Sequence, residues 1–141
     1  MKSEIIFFDS TQQSYEGTKR GLIAFISLIL FDLIWFSISK KVYPIKRLKY
    51  VYLMVIPYLL LCSAIAVQQP KSYKEALLWS FLVGLVVYGI YNSTNMIIIP
   101  QWSIKIGIID TIAGIINCCI AGTILYFIYW NLFKSCHIIH H

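Results

Sequence analysis

Residues 21–39 read GLIAFISLILFDLIWFSIS, and this stretch decides the fold class of the 141-residue chain. Lys19 and Arg20 precede it, and Lys40 and Lys41 follow it. A helix that crosses the hydrocarbon core of a bilayer needs about 20 predominantly apolar residues. The length of the stretch and the basic residues at both ends therefore predict a transmembrane helix.

Three further apolar stretches have comparable length. With the first, they predict spans at 21–39, 50–67, 76–98 and 106–130. The expected fold is all-α, an integral membrane protein built as a four-helix transmembrane bundle. The expected organisation is an N-terminal polar or interfacial extension over 1–19, a transmembrane domain over 20–131 and a polar C-terminal tail over 132–141.

The composition favours lipid as the solvent. Hydrophobic residues make up 59% of the chain and charged residues 13%, and the mean hydropathy is +0.73. An ordinary soluble domain has about 45–50% apolar and about 25% charged residues. We therefore expect a multi-pass protein of a cell membrane, or of a viral or host membrane.

The net charge of +6 could indicate nucleic acid, but five of the twelve basic residues crowd between the first two spans. They are Lys40, Lys41, Lys46, Arg47 and Lys49. This pattern is typical of a loop beside anionic head groups. The expected partners are therefore membrane lipids, with anionic head groups at these five residues, and not nucleic acid. The density of charge favours the cytosolic side for this loop, which places both termini on the other side.

Two aspartates inside predicted spans are the strongest functional signal. An ionisable side chain in a membrane costs a few kcal/mol and marks a functional site by default. Asp32 lies seven positions before Ser39, and Asp110 lies five positions after Lys105. At about 1.5 Å per residue both lie about 7–10 Å from span ends on the same side, and Asn92 is at a similar depth. We expect one polar cluster.

Helical phase supports this cluster. Tyr88, Asn92 and Asn95 share one face of the third span. Asp32, Trp35 and Phe36 lie on one stripe of the first span, and Asp110, Gly114 and Asn117 on one face of the fourth. Gly114, Cys118 and Gly122 form a ladder of small residues that lets helices approach closely. The alternative is that the polar residues only hold helices together, at about 0.6 kcal/mol per hydrogen bond. We prefer this alternative for Asn117.

The same residues carry a resemblance to a known family. The sequence Phe31-Asp32-Leu33-Ile34-Trp35, the series Gly84, Tyr88, Tyr91, Thr94 and Asn95, and Trp102 with Asp110 and Gly114 resemble small bacterial membrane proteins of the domain of unknown function 2177. The resemblance covers residues 21–130. Asn92 stands where that family generally has Asp, and Ala113 where it has Trp. The resulting loss of one carboxylate argues against a proton-coupled mechanism. The resemblance sharpens the sites but implies no activity.

The leading hypothesis is a protein that binds or passes a small solute, an ion or a lipid head group, as a homo-oligomer. The candidate binding residues are Asp32, Trp35, Tyr88, Tyr91, Asn92, Thr94, Asn95, Trp102 and Asp110. No catalytic residue, metal ligand or cofactor is expected, since the four cysteines form no C-x-x-C pair and the three C-terminal histidines have no second ligand cluster.

Two rival functions remain open at this point. The first is a structural or assembly component of a membrane complex or virion membrane. The second is a lipid-modifying enzyme whose aspartates act as acid and base. The absence of a histidine from the predicted spans argues against the enzyme.

Overall fold

The structure, a computed structural model, describes residues 2–39, 55–68 and 70–129, with the side chains of the first helix described from Tyr15 to Ile38. All regular elements in these ranges are helices. They are α1 (Lys2–Ser39), α2 (Val55–Ala66), α3 (Tyr73–Ile98) and α4 (Ile104–Ile128). The prediction of an all-α fold is confirmed.

Three of these helices contain segments long and apolar enough to cross a membrane: Tyr15–Ile38, Tyr73–Ile98 and Ile104–Ile128. They correspond to the first, third and fourth predicted spans. Large apolar side chains cover their outer surfaces, and Ile97, for example, is 86% exposed. A surface of this kind is stable in lipid and not in water. The chain is therefore a multi-pass membrane protein.

The second predicted span is described only in part. α2 is an apolar helix of 12 residues, and the predicted beginning of the span at residue 50 lies outside the described residues. The same holds for the five clustered basic residues between 40 and 49 and for the tail at 132–141. The lipid contacts expected there, and the orientation derived from them, stay predictions.

The first helix is longer than its predicted span. α1 continues as one helix from Lys2 through the polar residues to Ser39, so the described part of the expected extension, 2–19, is helical. Lys19 and Glu16 form an ion pair at 3.4 Å on this helix. Gly17 and Gly21 weaken a helix without ending it, and no proline interrupts the segment.

A short connection holds α3 and α4 antiparallel. Ser72 caps α3 by accepting a hydrogen bond from the amide of Glu75, and Ser103 caps α4 by accepting one from the amide of Ile106. Between the helices, the amide of Trp102 donates to the carbonyl of Ile99 at 2.8 Å. This turn fixes Trp102 at the end of α3, beside the beginning of α4.

α3 and α4 pack closely because small residues face each other. A Cβ atom at Gly84 would lie 2.8 Å from the Cα of Ile115. A Cβ atom at Gly114 would overlap the Tyr88 ring, and one at Gly122 would overlap the Ser80 hydroxyl. The predicted ladder of small residues lies at this contact.

An apolar core joins α1, α2 and α4 near the middle of the helices. It consists of Ala24, Leu28, Leu61, Cys62, Ile65, Cys118, Ala121 and Leu125. On either side of this core, toward opposite ends of the helices, lies a cavity.

Candidate functional site

A cavity of about 220 Å³ lies toward the end of the helices where α1 finishes and α4 begins. We call it the aromatic cavity. Its described lining residues are Asp32, Trp35, Phe36, Pro57, Tyr58, Leu61, Val87, Tyr88, Tyr91, Trp102, Asp110 and Gly114. Six of the nine candidate binding residues belong to this set: Asp32, Trp35, Tyr88, Tyr91, Trp102 and Asp110.

Asp32 accepts a hydrogen bond on each of its carboxylate oxygens. The hydroxyl of Tyr58 on α2 donates to Oδ2. The amide of Asn117 on α4 donates to Oδ1, with 2.8 Å between Nδ2 and Oδ1. The carboxylate therefore joins three helices, and both donors are neutral groups that orient it without cancelling its charge.

Asn117 is completely buried. Its Nδ2 also lies 3.4 Å from the carbonyl oxygen of Leu28, one turn before Asp32. Its Oδ1 has no hydrogen-bond partner among the described residues. Asn117 thus contacts both the backbone and a side chain of α1, and it holds the Asp32 side chain in place.

Asn92 organises the second polar group. Its side chain is buried, and its Nδ2 lies 3.0 Å from Oδ2 of Asp110 and 3.1 Å from Oγ1 of Thr111. Its Oδ1 accepts a hydrogen bond from Nε1 of Trp102 at 3.0 Å. An amide donates on one side and accepts on the other, whereas an ionised carboxylate only accepts. This arrangement gives a physical reason for asparagine at position 92.

Three predicted site residues do not line the cavity. Asn92 lies behind its wall and holds Asp110 and Trp102. Thr94 is exposed and donates to the carbonyl of Ile90 at 2.8 Å, because a residue two positions from Asn92 points to nearly the opposite side of a helix. Asn95 is partly buried, and its Nδ2 has no partner among the described residues.

The structure also places residues at the site that are not among the nine candidate binding residues. Tyr58 and Pro57 come from α2, and Phe36 extends the stripe of Asp32 on α1. Tyr58 is a single hydroxyl within the apolar run VIPYLLL. That was the one available signal, and nothing in the run indicates which face of α2 turns inward.

Six aromatic side chains line the cavity: Trp35, Phe36, Tyr58, Tyr88, Tyr91 and Trp102. The Tyr91 and Trp102 rings meet edge to face, with centroids 6.1 Å apart and an angle of 85° between the ring planes. None of the described lining residues is basic. Aromatic faces and carboxylates both attract positive charge.

The described residues contain no group of three or more histidines, cysteines, aspartates or glutamates that could hold a metal ion. Asp32 and Asp110 are the two carboxylates that line the aromatic cavity. The side chains that line this cavity therefore offer hydrogen bonds and charge interactions.

A family model for predicted membrane proteins, DUF2177, matches residues 19–127. The chain belongs to the DUF2177 family. The match includes every described residue that lines the aromatic cavity, as well as Asn92 and Asn117. Neither the curated proteins nor the solved structures gave a match. DUF2177 membership agrees with the membrane fold, and it assigns no activity.

Proposed function

We propose that this DUF2177 protein binds a small organic cation, such as a protonated or quaternary amine, in the aromatic cavity. Asp32 and Asp110 supply the negative charge, and the aromatic side chains surround the positive end of the ligand. The observation that carries the proposal is that two carboxylates and six aromatic side chains line one cavity without a basic residue among its described lining.

Charge is the first argument. A carboxylate taken out of water is costly unless another charge or several hydrogen bonds compensate it. Tyr58 and Asn117 give Asp32 neutral hydrogen bonds, and Asn92 gives one to Asp110. A cation in the cavity adds the charge compensation that the neutral donors Tyr58 and Asn117 do not provide to Asp32.

The aromatic walls are the second argument. A cation over an aromatic face gains about 0.5–1 kcal/mol when exposed and about 2 kcal/mol or more when it is desolvated. Tryptophan gives the strongest attraction, and Trp35 and Trp102 both line the cavity. Hydrophobic substituents on the ligand nitrogen would also pack well against these rings.

The size and access of the cavity are the third argument. Its volume of about 220 Å³ lies below the range of about 300–1,000 Å³ that is typical for drug-sized ligands. A ligand with few non-hydrogen atoms is therefore expected. Tyr91 and Pro57 are exposed on the outer surface as well as lining the cavity, so a ligand can enter between the helices.

Choline and its uncharged carbon analogue 3,3-dimethyl-1-butanol test the proposal directly. The full chain is purified in detergent with Trp79→Phe and Trp130→Phe, which leaves Trp35 and Trp102 as the fluorescent reporters. Choline should change the fluorescence in a saturable manner, and the uncharged analogue should not. Asp32→Asn and Asp110→Asn should each weaken choline binding about tenfold, which corresponds to about 1.4 kcal/mol.

Glu16→Gln is the matched control, because it removes one carboxylate that pairs with Lys19 away from the cavity. It should leave choline binding unchanged. Equal responses to choline and to the uncharged analogue, or full choline binding by the Asp32→Asn, Asp110→Asn double variant, would contradict the proposal. Either result would favour the structural or assembly role.

A further inference from the structure

The second cavity, of about 270 Å³, lies at the opposite end of the helices. We call it the basic cavity. It is bounded by Arg20 of α1, the end of α2, the connection with Lys71, the beginning of α3 and the end of α4. Its described lining residues include two cations and no carboxylate.

Arg20 is the unusual feature of this cavity. Only 7% of the residue is exposed, although arginine is almost never fully buried without a partner. Its guanidinium carbon lies 5.1 Å from the centre of the Tyr129 ring. The one ion pair among the described residues joins Lys19 and Glu16. No carboxylate in the described part of the chain lies within ion-pair distance of the five N–H donors of this guanidinium, although Glu16, one turn earlier on α1, attracts it electrostatically.

The positions of the six acidic residues of the sequence explain why no carboxylate of the described chain forms an ion pair with Arg20. Asp32 and Asp110 line the aromatic cavity. Glu16 pairs with Lys19, and Oε2 of Glu75 accepts a hydrogen bond from the backbone amide of Lys71 at 2.8 Å. The remaining two, Glu4 and Asp9, precede Arg20 on α1 by eleven residues or more. At 1.5 Å per residue that is about 16 Å or more along the helix. Glu16, one turn from Arg20, is thus engaged by Lys19, and the other acids of the described helices contact other groups or are distant from Arg20.

A second, independent observation also indicates a missing ligand. The hydroxyl of Ser80 lines the basic cavity, is completely buried, and has no hydrogen-bond partner among the described residues. Gly122 leaves the space for it, since a Cβ atom there would overlap the Ser80 oxygen. Buried hydroxyls in proteins are nearly always hydrogen-bonded.

We propose that the basic cavity binds a phosphate group. Arg20 donates two parallel hydrogen bonds to it, Lys71 supplies the second positive charge and Ser80 is a neutral donor. Arginine matches the geometry of phosphate with two parallel hydrogen bonds, and lysine acts as a point charge. Two sources share this chemistry: the head group of an anionic phospholipid and free phosphate. Arg20 directly precedes the apolar stretch that begins at Gly21, so we expect the cavity to lie near the depth of lipid head groups.

The experiment compares lipid binding by the full chain in neutral detergent. Phosphatidylglycerol and a diacylglycerol with the same acyl chains are added separately, and bound lipid is counted by native mass spectrometry. The wild type should retain phosphatidylglycerol and not diacylglycerol. Arg20→Gln should weaken the retention of phosphatidylglycerol about tenfold. Lys71→Gln should weaken it less, because lysine contributes a positive charge but no bidentate pair of hydrogen bonds.

Lys74→Gln is the matched control. Lys74 is exposed near the same end of α3 and does not line the cavity, so its loss should leave lipid retention unchanged. If Arg20→Gln does not fold, Arg20→Lys replaces it and should cause an intermediate loss. Asp32→Asn should have no effect, which separates this site from the aromatic cavity.

Inorganic phosphate distinguishes the two sources. Displacement of phosphatidylglycerol by millimolar phosphate would show that the cavity takes the free ion. Retention of the lipid in the presence of phosphate, with sensitivity to Arg20→Gln, would assign a lipid head group. Equal retention of diacylglycerol, or an equal loss in Lys74→Gln and Arg20→Gln, would overturn the proposal and indicate attraction to surface charge alone.

Discussion

Asn117 on α4 donates a hydrogen bond to Asp32 on α1 across 85 residues of sequence, with 2.8 Å between Nδ2 and Oδ1. The same nitrogen also lies near the carbonyl of Leu28. Asn117 therefore does more than fill a contact between helices. It connects the packing of α1 against α4 to the position of the carboxylate in the aromatic cavity.

Replacement of Asn117 should accordingly affect both stability and binding. Asn117→Ala removes the donor from Asp32 and is expected to lower the free energy of unfolding by about 1–2 kcal/mol. It should also weaken choline binding. Asn95→Ala is the matched control, since Nδ2 of Asn95 has no partner among the described residues. Equilibrium unfolding in mixed micelles with dodecyl sulfate measures both variants, and equal losses would contradict a specific role of Asn117.

Gly84 and Gly89 provide a matched pair on α3. A Cβ atom at Gly84 meets the backbone of Ile115, whereas one at Gly89 meets nothing within 4 Å. Gly84→Ala should push α3 from α4 and destabilise the fold by about 1–3 kcal/mol. Gly89→Ala should stabilise it by about 0.5–1 kcal/mol, because alanine loses less backbone freedom in a helix. Thermal unfolding in one detergent would refute the close packing if both variants changed in the same direction.

Asn92→Asp tests the amide network. The new carboxylate would lie at hydrogen-bond distance from Asp110 with no proton to donate unless one is bound. At neutral pH the variant should be less stable than the wild type. The difference should shrink as the pH falls, since one shared proton restores a donor between two carboxylates. A constant difference between pH 8 and pH 5, on the order of three decades in proton activity, would contradict the direct contact between Asn92 and Asp110.

Trp102→Phe separates the indole N–H from the aromatic ring. The variant keeps an aromatic side chain but removes the donor to Oδ1 of Asn92. A loss of about 1 kcal/mol in the free energy of unfolding is expected for a buried hydrogen bond. Trp79→Phe, at an exposed position outside both cavities, should change stability much less. Similar effects of the two substitutions would show that the hydrogen bond contributes nothing specific.

The depth of the two aspartates could be predicted because a membrane helix has a fixed rise and the connections set which ends lie together. Asp32 and Asp110 do line one cavity. The partners of Asp32 could not be predicted in the same way. Which faces of α1, α2 and α4 meet depends on how the core packs around Leu28, Leu61 and Cys118, and the uniformly apolar α2 carries no charged residue that indicates its orientation.

Within α3, membership in the family-like series does not determine whether a residue lines the aromatic cavity. Thr94 and Asn95 belong to the family-like series, but neither lines the cavity. The rotation of about 100° per residue turns Thr94 away from it, whereas Asn95 shares the face of Tyr88 and lies two turns further along the helix. At the other end of the chain, Lys19 and Arg20 look equivalent as flanking charges. Both lie one turn after Glu16, but Lys19 pairs with Glu16, whereas Arg20 is buried against the Tyr129 ring.

The uninterrupted α1 has a mechanical consequence. Its 38 residues extend about 57 Å at 1.5 Å per residue, whereas the hydrocarbon core is about 30 Å thick. The part before Tyr15 is thus a rod of about 20 Å that continues the membrane segment. Arg20 and Asp32 both belong to this one helix. A displacement of α1 as one body would therefore change the linings of both cavities together.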